Sequence, residues 1–115
     1  GHAVEAAGGY GALLHGEAVA IGMDLAGQIA ACLGMWAEAD VLRQRQLLNA
    51  YGLPTALPEQ LEPEDLLERT LRDKKVRAGR VRWILPTAIG HALVRDDVPE
   101  ALVHDVLTQH ADHTQ

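Results

Sequence analysis

The sequence predicts a mainly α-helical domain with one small β-hairpin near its C-terminal end. Three observations support this fold class. The hydrophobic content is 48%, but it is mostly Ala, Leu and Val, with no Phe. Almost every position from Leu14 to Leu33 is small or apolar. Two short segments of strand character flank the sequence Pro86 to Gly90, and no internal repeat is present, so we expect one domain.

The first two predicted helices are residues 2–7 and residues 14–33. The first consists of good helix formers and runs into Gly8 and Gly9, which stop it. In the second, the polar side chains follow each other at i, i+7 and i+11 and form one narrow stripe (Glu17, Asp24 and Gln28). A helix with this pattern is buried on nearly all sides. Gly34 is a suitable terminator.

The remaining elements are predicted from their boundary residues. A third helix over 36–51 ends at Gly52 and Pro54, with Gln44 facing water and four candidate core residues (Val41, Leu42, Leu48 and Tyr51). A fourth helix runs from Pro63 to Lys75. Strands over 80–85 and 91–95 enclose a turn, and Pro99 opens a last helix whose tail, from residue 109, is polar and frayed.

Composition and charge limit the class of partner and the compartment. The 115 residues carry a formal net charge of -6, which argues against nucleic acid as the main partner. A single cysteine, Cys32, cannot form an internal disulfide, so we expect a reducing, cytoplasmic compartment and a thiol packed in the core. The apolar run is broken by Asp24 and Gln28, which favours a buried helix over a membrane span.

His15 is the first candidate for chemistry because it opens the long apolar helix. A helix N-terminus is locally positive, which disfavours imidazolium and keeps the ring in the neutral form that binds metal. A capping or packing role is the simpler alternative. His2 lies thirteen residues earlier, a spacing that fits no compact metal motif, although the two rings could converge across the intervening turn.

Lys74 is the second candidate. On a helical wheel it falls in the middle of the apolar arc of the fourth helix, which three leucines form (Leu66, Leu67 and Leu71). An ammonium group directed inward requires an anion, either a protein carboxylate or a charged substrate. The alternative is a side chain that reaches solvent from the last turn of the helix.

Four segments in order resemble 3-dehydroquinate synthases over nearly the whole chain: residues 1–6 (GHAVEA), 14–23 (LHGEAVAIGM), 73–76 (DKKV) and 84–90 (ILPTAIG). The resemblance implies a lyase of the shikimate pathway that converts 3-deoxy-D-arabino-heptulosonate 7-phosphate to 3-dehydroquinate and phosphate, with NAD and a zinc or cobalt ion. It implies a larger α/β + α two-domain enzyme, a homodimer when complete, of which residues 1–115 are the helical C-terminal domain.

The resemblance also implies roles for three residues. His15 matches a metal ligand, His2 an active-site histidine near the substrate, and Lys74 a lysine that contacts the anionic substrate. The family takes a metal-binding Glu from its N-terminal half and a further His from just upstream of His2, and neither is in this sequence, nor are the NAD-binding glycines. Because the sequence opens at Gly1 without an initiator Met, we expect a truncated chain that is inactive alone.

Two alternatives remain open. One is a related sugar-phosphate cyclase on the same frame, such as a 2-deoxy-scyllo-inosose or a 2-epi-5-epi-valiolone synthase. The other is a non-catalytic helical remnant that kept the frame and lost the chemistry.

Overall fold

A computed structural model describes residues 1–7, 13–58, 61–76 and 81–112, and it places all of their side chains except those of 73–76 and 110–112. The predicted fold class is confirmed. The elements are five helices and two strands in chain order: α1 (His2–Ala7), α2 (His15–Cys32), α3 (Glu38–Ala50), α4 (Pro63–Val76), β1 (Trp83–Ala88), β2 (His91–Arg95) and α5 (Glu100–Asp112).

Helix α2 is the centre of the fold. It packs against α1, α3, α5 and β1, while α4 lies against α1 and α5. The core is the set of fully buried apolar side chains at these contacts, among them Val4, Ile21, Ile29, Leu57, Leu66, Leu85 and Val106. Burial of α2 is less complete than predicted, because eight of its 18 residues are buried. Val19 and Met23 are 40% and 42% exposed, and both ends of the helix, at His15, Gly16 and Cys32, are exposed as well.

Both α2 and α3 are followed, after one capping residue, by a glycine whose backbone lies in the left-handed region. Gly34 has φ 74°, and the N–H of Met35 donates to the carbonyl of Ala30 at 2.9 Å. Gly52 has φ 75°, and Leu53 donates in the same way to Leu48 at 3.0 Å. Each of these hydrogen bonds spans six residues and pairs a carbonyl at the helix end that has no partner within the helix. The motif requires a residue with positive φ, which favours glycine. Both predicted terminators are confirmed.

The inward face of α3 differs from the prediction. Val41 is buried and Leu48 is half-buried, but Leu42 and Tyr51 are 50% and 79% exposed. The positions that share the face of Val41 are taken by Gln44 and Arg45, which bond to α2. Gln44 is thus half-buried rather than directed fully into water, and its amide donates to the carbonyl of Met23 at 2.9 Å.

The hairpin is antiparallel, and its turn is shorter than predicted. β1 begins at Trp83, continues through Pro86, which lies opposite Ala92, and ends at Ala88, so the turn is made by Ile89 and Gly90. Proline is tolerated because each strand of a two-stranded sheet is an edge strand. Gly90 has φ 88°, as a tight hairpin turn requires.

Two further expectations were wrong. Cys32 is exposed rather than packed in the core, because it is the last residue of α2, where neighbouring elements cover the helix less. The expected fraying from residue 109 is wrong for 109–112, because α5 continues to Asp112, while 113–115 lie outside the described residues. Within the described residues, no helix is both long and apolar enough to cross a membrane.

Candidate metal and substrate site

His15 is the first residue of α2, as the sequence predicted. The turn that presents it is closed by Glu17, whose carboxylate accepts the N–H of Leu14 at 2.8 Å. An acidic side chain in the first turn complements the positive end of the helix. The side chain of His15 is 73% exposed, so the packing alternative does not describe this histidine.

Glu5 of α1 holds the ring of His15. One carboxylate oxygen, Oε2, lies 2.9 Å from the Nδ1 of His15, and the Glu5 side chain is only 22% exposed. A carboxylate can only accept, so in the neutral imidazole this contact places the proton on Nδ1 and leaves Nε2 with its lone pair. Metal-binding histidines commonly have this arrangement, with the second ring nitrogen donating to a carboxylate. The geometry of His15 is therefore suited to the role of a metal ligand.

His2 opens α1 and lines a cleft of about 590 Å³ between α1, α2, α4, α5 and β1. The walls combine apolar side chains with three arginines (Arg69, Arg72 and Arg82). Two of the three are paired along α4, Arg69 with Asp65 at 3.1 Å and Arg72 with Glu68 at 2.7 Å. His15 is not among the residues that line this cleft.

The candidate residues are therefore brought together only in part. His2 and His15 lie at the starts of two helices that pack against each other, but no group of three or more histidine, cysteine or acidic side chains converges within the described residues. Lys74 belongs to the last turn of α4, and its side chain lies outside the described residues. A catalytic zinc ion takes three protein ligands, so His15 can supply one of them.

Glu5, Arg69 and Arg72 were not singled out by the sequence analysis. Glu5 is ten residues from His15 and on a different helix, so no helical spacing connects the two. The arginines belong to i, i+4 pairs on α4, a pattern that usually marks a solvated helix face. Only the packing of α4 beside α1 gives them a place on the cleft.

The family match and the similar sequences point to the same family. Residues 1–76 match the family described as 3-dehydroquinate synthase C-terminal. A 3-dehydroquinate synthase from Nostoc punctiforme is 51% identical over 93% of this chain, and one from Synechococcus sp. is 48% identical over the same share. The chain spans about 30% of the length of these relatives.

Two solved structures resemble the fold. One is a 2-epi-5-epi-valiolone synthase from Streptomyces hygroscopicus subsp. jinggangensis with NAD+ and Zn2+ bound, with a TM-score of 0.83 and 31% identity over 96% of this chain and 30% of that one. The other is a 2-deoxy-scyllo-inosose synthase with carbaglucose-6-phosphate, NAD+ and Co2+, with a TM-score of 0.78 and 27% identity over 94% of this chain and 32% of that one. With the family match to residues 1–76, these similarities show that the chain belongs to the 3-dehydroquinate synthase C-terminal family.

Proposed function

We propose that the chain is the metal- and substrate-side domain of a 3-dehydroquinate synthase, a lyase that converts 3-deoxy-D-arabino-heptulosonate 7-phosphate to 3-dehydroquinate and phosphate. The structural observation that carries the proposal is the exposed imidazole of His15, held through Nδ1 so that Nε2 can bind a metal. It lies within the segment that matches the family, and the relatives with that name are about half identical to the chain.

Three residues of this chain take part in the proposed reaction. His15 holds a zinc or cobalt ion through Nε2, and such an ion supplies Lewis-acid polarisation of a substrate oxygen. His2, the first residue of α1, lines the cleft. It acts in proton transfer near the substrate, a role for which imidazole is the most common side chain. Lys74, at the end of α4, binds an anionic group of the substrate through a charge-assisted hydrogen bond.

The proposal assigns the other parts of the site to a longer protein. Within residues 1–7, 13–58, 61–76 and 81–112 the strands form one antiparallel hairpin, whereas a dinucleotide site of the common kind needs a parallel sheet with a glycine-rich loop. NAD and the other metal ligands are therefore assigned to an N-terminal domain, and we expect residues 1–115 to be inactive alone. A cytoplasmic homodimer is part of the same proposal and rests on the family resemblance.

A related cyclase is the second candidate, because both structural relatives carry such names. The identities favour the first candidate, at 51% and 48% to the 3-dehydroquinate synthases against 31% and 27% to the two cyclases. Phosphate release from 3-deoxy-D-arabino-heptulosonate 7-phosphate by the full-length protein separates the candidates. Absence of turnover in a folded, metal-loaded and NAD-supplied protein would exclude the proposed reaction.

The ligand assignment has its own test in the full-length protein. His15→Ala is expected to abolish stoichiometric zinc or cobalt, measured by elemental analysis after gel filtration, because a three-ligand catalytic site loses one protein ligand. His104→Ala is the matched control, since His104 also pairs with a carboxylate, Glu64, at 3.4 Å, and it should keep the metal. Equal metal content in the two variants would show that His15 is not a ligand.

A further inference from the structure

The pair formed by Glu5 and His15 joins two helices on either side of residues 8–12. Glu5 belongs to α1 and His15 to α2, and their contact measures 2.9 Å between Oε2 and Nδ1. An ion pair at an exposed site contributes little to stability, and the His15 side chain is 73% exposed. Stabilisation of the fold is thus a weak account of this contact, and an effect on the histidine itself is a stronger one.

Glu5 is the fixed member of the pair. Its side chain is 22% exposed, and its backbone N–H donates to the carbonyl of Gly1 at 3.0 Å within α1. The preceding residue, Val4, is buried in the core. Gly1, the residue before α1, lies so close to α2 that a Cβ atom added at Gly22 would be 2.7 Å from the Gly1 nitrogen. The packing of α1 therefore fixes where the carboxylate of Glu5 lies.

The His15 side chain, in contrast, is 73% exposed, and among the described residues its ring has one polar contact, to Glu5. An exposed imidazole can rotate about its side-chain bonds and can carry its proton on either nitrogen. Acceptance of a hydrogen bond by Glu5 removes both freedoms, since it selects the form with the proton on Nδ1 and sets the plane of the ring. The nitrogen that remains for a metal, Nε2, then has a defined direction.

We propose that Glu5 is a positioning residue for the metal site, which fixes the ring orientation and the proton position of His15 without touching the metal or the substrate. The inference rests on the proposed function insofar as His15 is a metal ligand. It goes beyond that function by assigning a role to a residue whose place in the site is visible only from the contact between α1 and α2.

The test compares four variants of the full-length protein by competition for Zn2+ with a chromophoric chelator. Glu5→Ala is expected to weaken zinc binding by roughly ten- to a hundredfold, as loss of an outer-shell partner typically does. Glu5→Gln should lose less, because its amide oxygen can still accept from Nδ1. Glu64→Ala is the matched control, since Glu64 also faces a histidine, and it should bind zinc like the unaltered protein. His15→Ala should not bind zinc at the site.

The outcomes separate the two proposals. If Glu5→Ala binds zinc within twofold of the unaltered protein while His15→Ala does not bind zinc, the role of Glu5 is overturned. The assignment of His15 as a metal ligand then still stands. Retained zinc in His15→Ala would overturn both. A measurement that needs no variant is the 15N spectrum of the metal-free protein in alkaline buffer, where imidazole rings are neutral. The proton of His15 is expected on Nδ1, and a proton on Nε2 would overturn the inference.

Discussion

Removal of the Arg45 side chain is expected to destabilise the fold because Arg45 pairs with a buried carboxylate. Arg45 donates from Nε to Oδ1 of Asp24 at 2.9 Å and from Nη2 to Oδ2 at 3.1 Å. Asp24 lies on α2 and is completely buried, whereas Arg45 is 32% exposed. Gln28 adds a third hydrogen bond to Oδ2 at 2.8 Å. Arg45→Ala takes two of these three bonds from a buried carboxylate.

The magnitude follows from the burial of Asp24. Removing one partner of a buried ion pair costs about 3–5 kcal/mol, and here the buried carboxylate loses both charge-assisted hydrogen bonds from Arg45. Solvent already reaches Arg45, which reduces the contribution of the pair, so we expect a loss near the lower limit, about 3 kcal/mol. At about 4 °C for each kcal/mol, the value between the ranges for smaller and larger domains, the melting temperature should fall by roughly 12 °C.

The assay is urea-induced unfolding followed by circular dichroism, with Arg72→Ala as the matched control. Arg72 also pairs with a carboxylate, Glu68 at 2.7 Å, but both side chains are exposed, at 60% and 63%. An exposed i, i+4 pair is worth about 0.3–0.5 kcal/mol. Equal losses in the two variants would refute the reasoning, because they would mean that the burial of Asp24 does not determine the cost.

Two further predictions concern α2 and α4. Gly22→Ala should destabilise the protein by about 1–3 kcal/mol through overpacking, since its Cβ would lie 2.7 Å from the nitrogen of Gly1. Gly16→Ala is the control, because a Cβ at Gly16 meets nothing within 4 Å. A thermal melt in which Gly22→Ala is no less stable than Gly16→Ala would contradict the close contact. Hydrogen bonds, first from its own backbone N–H and then from His104, lower the pKa of Glu64. Its carboxylate therefore stabilises the folded state above the usual glutamate range, and this contribution is lost as the pH falls through the lowered pKa. Glu64→Gln should flatten the acid limb of stability against pH in urea unfolding, and an unchanged limb would refute the assignment.

Helix positions and ends could be predicted from local sequence, because the signals are local. Gly34 and Gly52 stop α2 and α3 through their positive φ angles, and the apolar pattern of α2 identifies it as a buried helix. Burial on α3 could not be predicted in this way. The exposure of Leu42 and Tyr51 depends on Gln44 and Arg45, whose partners Met23 and Asp24 are 21 residues earlier in the chain.

The candidate site shows the same division. His15 could be singled out because its position at the start of an apolar helix is a property of a few adjacent residues. Glu5 could not, since its relation to His15 arises from the packing of α1 on α2. The turn of the hairpin was placed too early because proline usually interrupts strands, whereas Pro86 continues β1, which as part of a two-stranded sheet is an edge strand.

The hairpin has an uneven attachment to the rest of the domain. Leu85 is the one residue of β1 that is fully buried, and all of β2 except the half-buried Arg95 is exposed. The outer strand can therefore separate from β1 with loss of the contact from Nη1 of Arg95 to Sδ of Met35 at 3.4 Å, whereas β1 cannot leave α2 without exposing the fully buried Leu85. In native-state hydrogen exchange, the amides that bridge the two strands should open in a low-energy local event, well before the amides of α2 exchange through global unfolding.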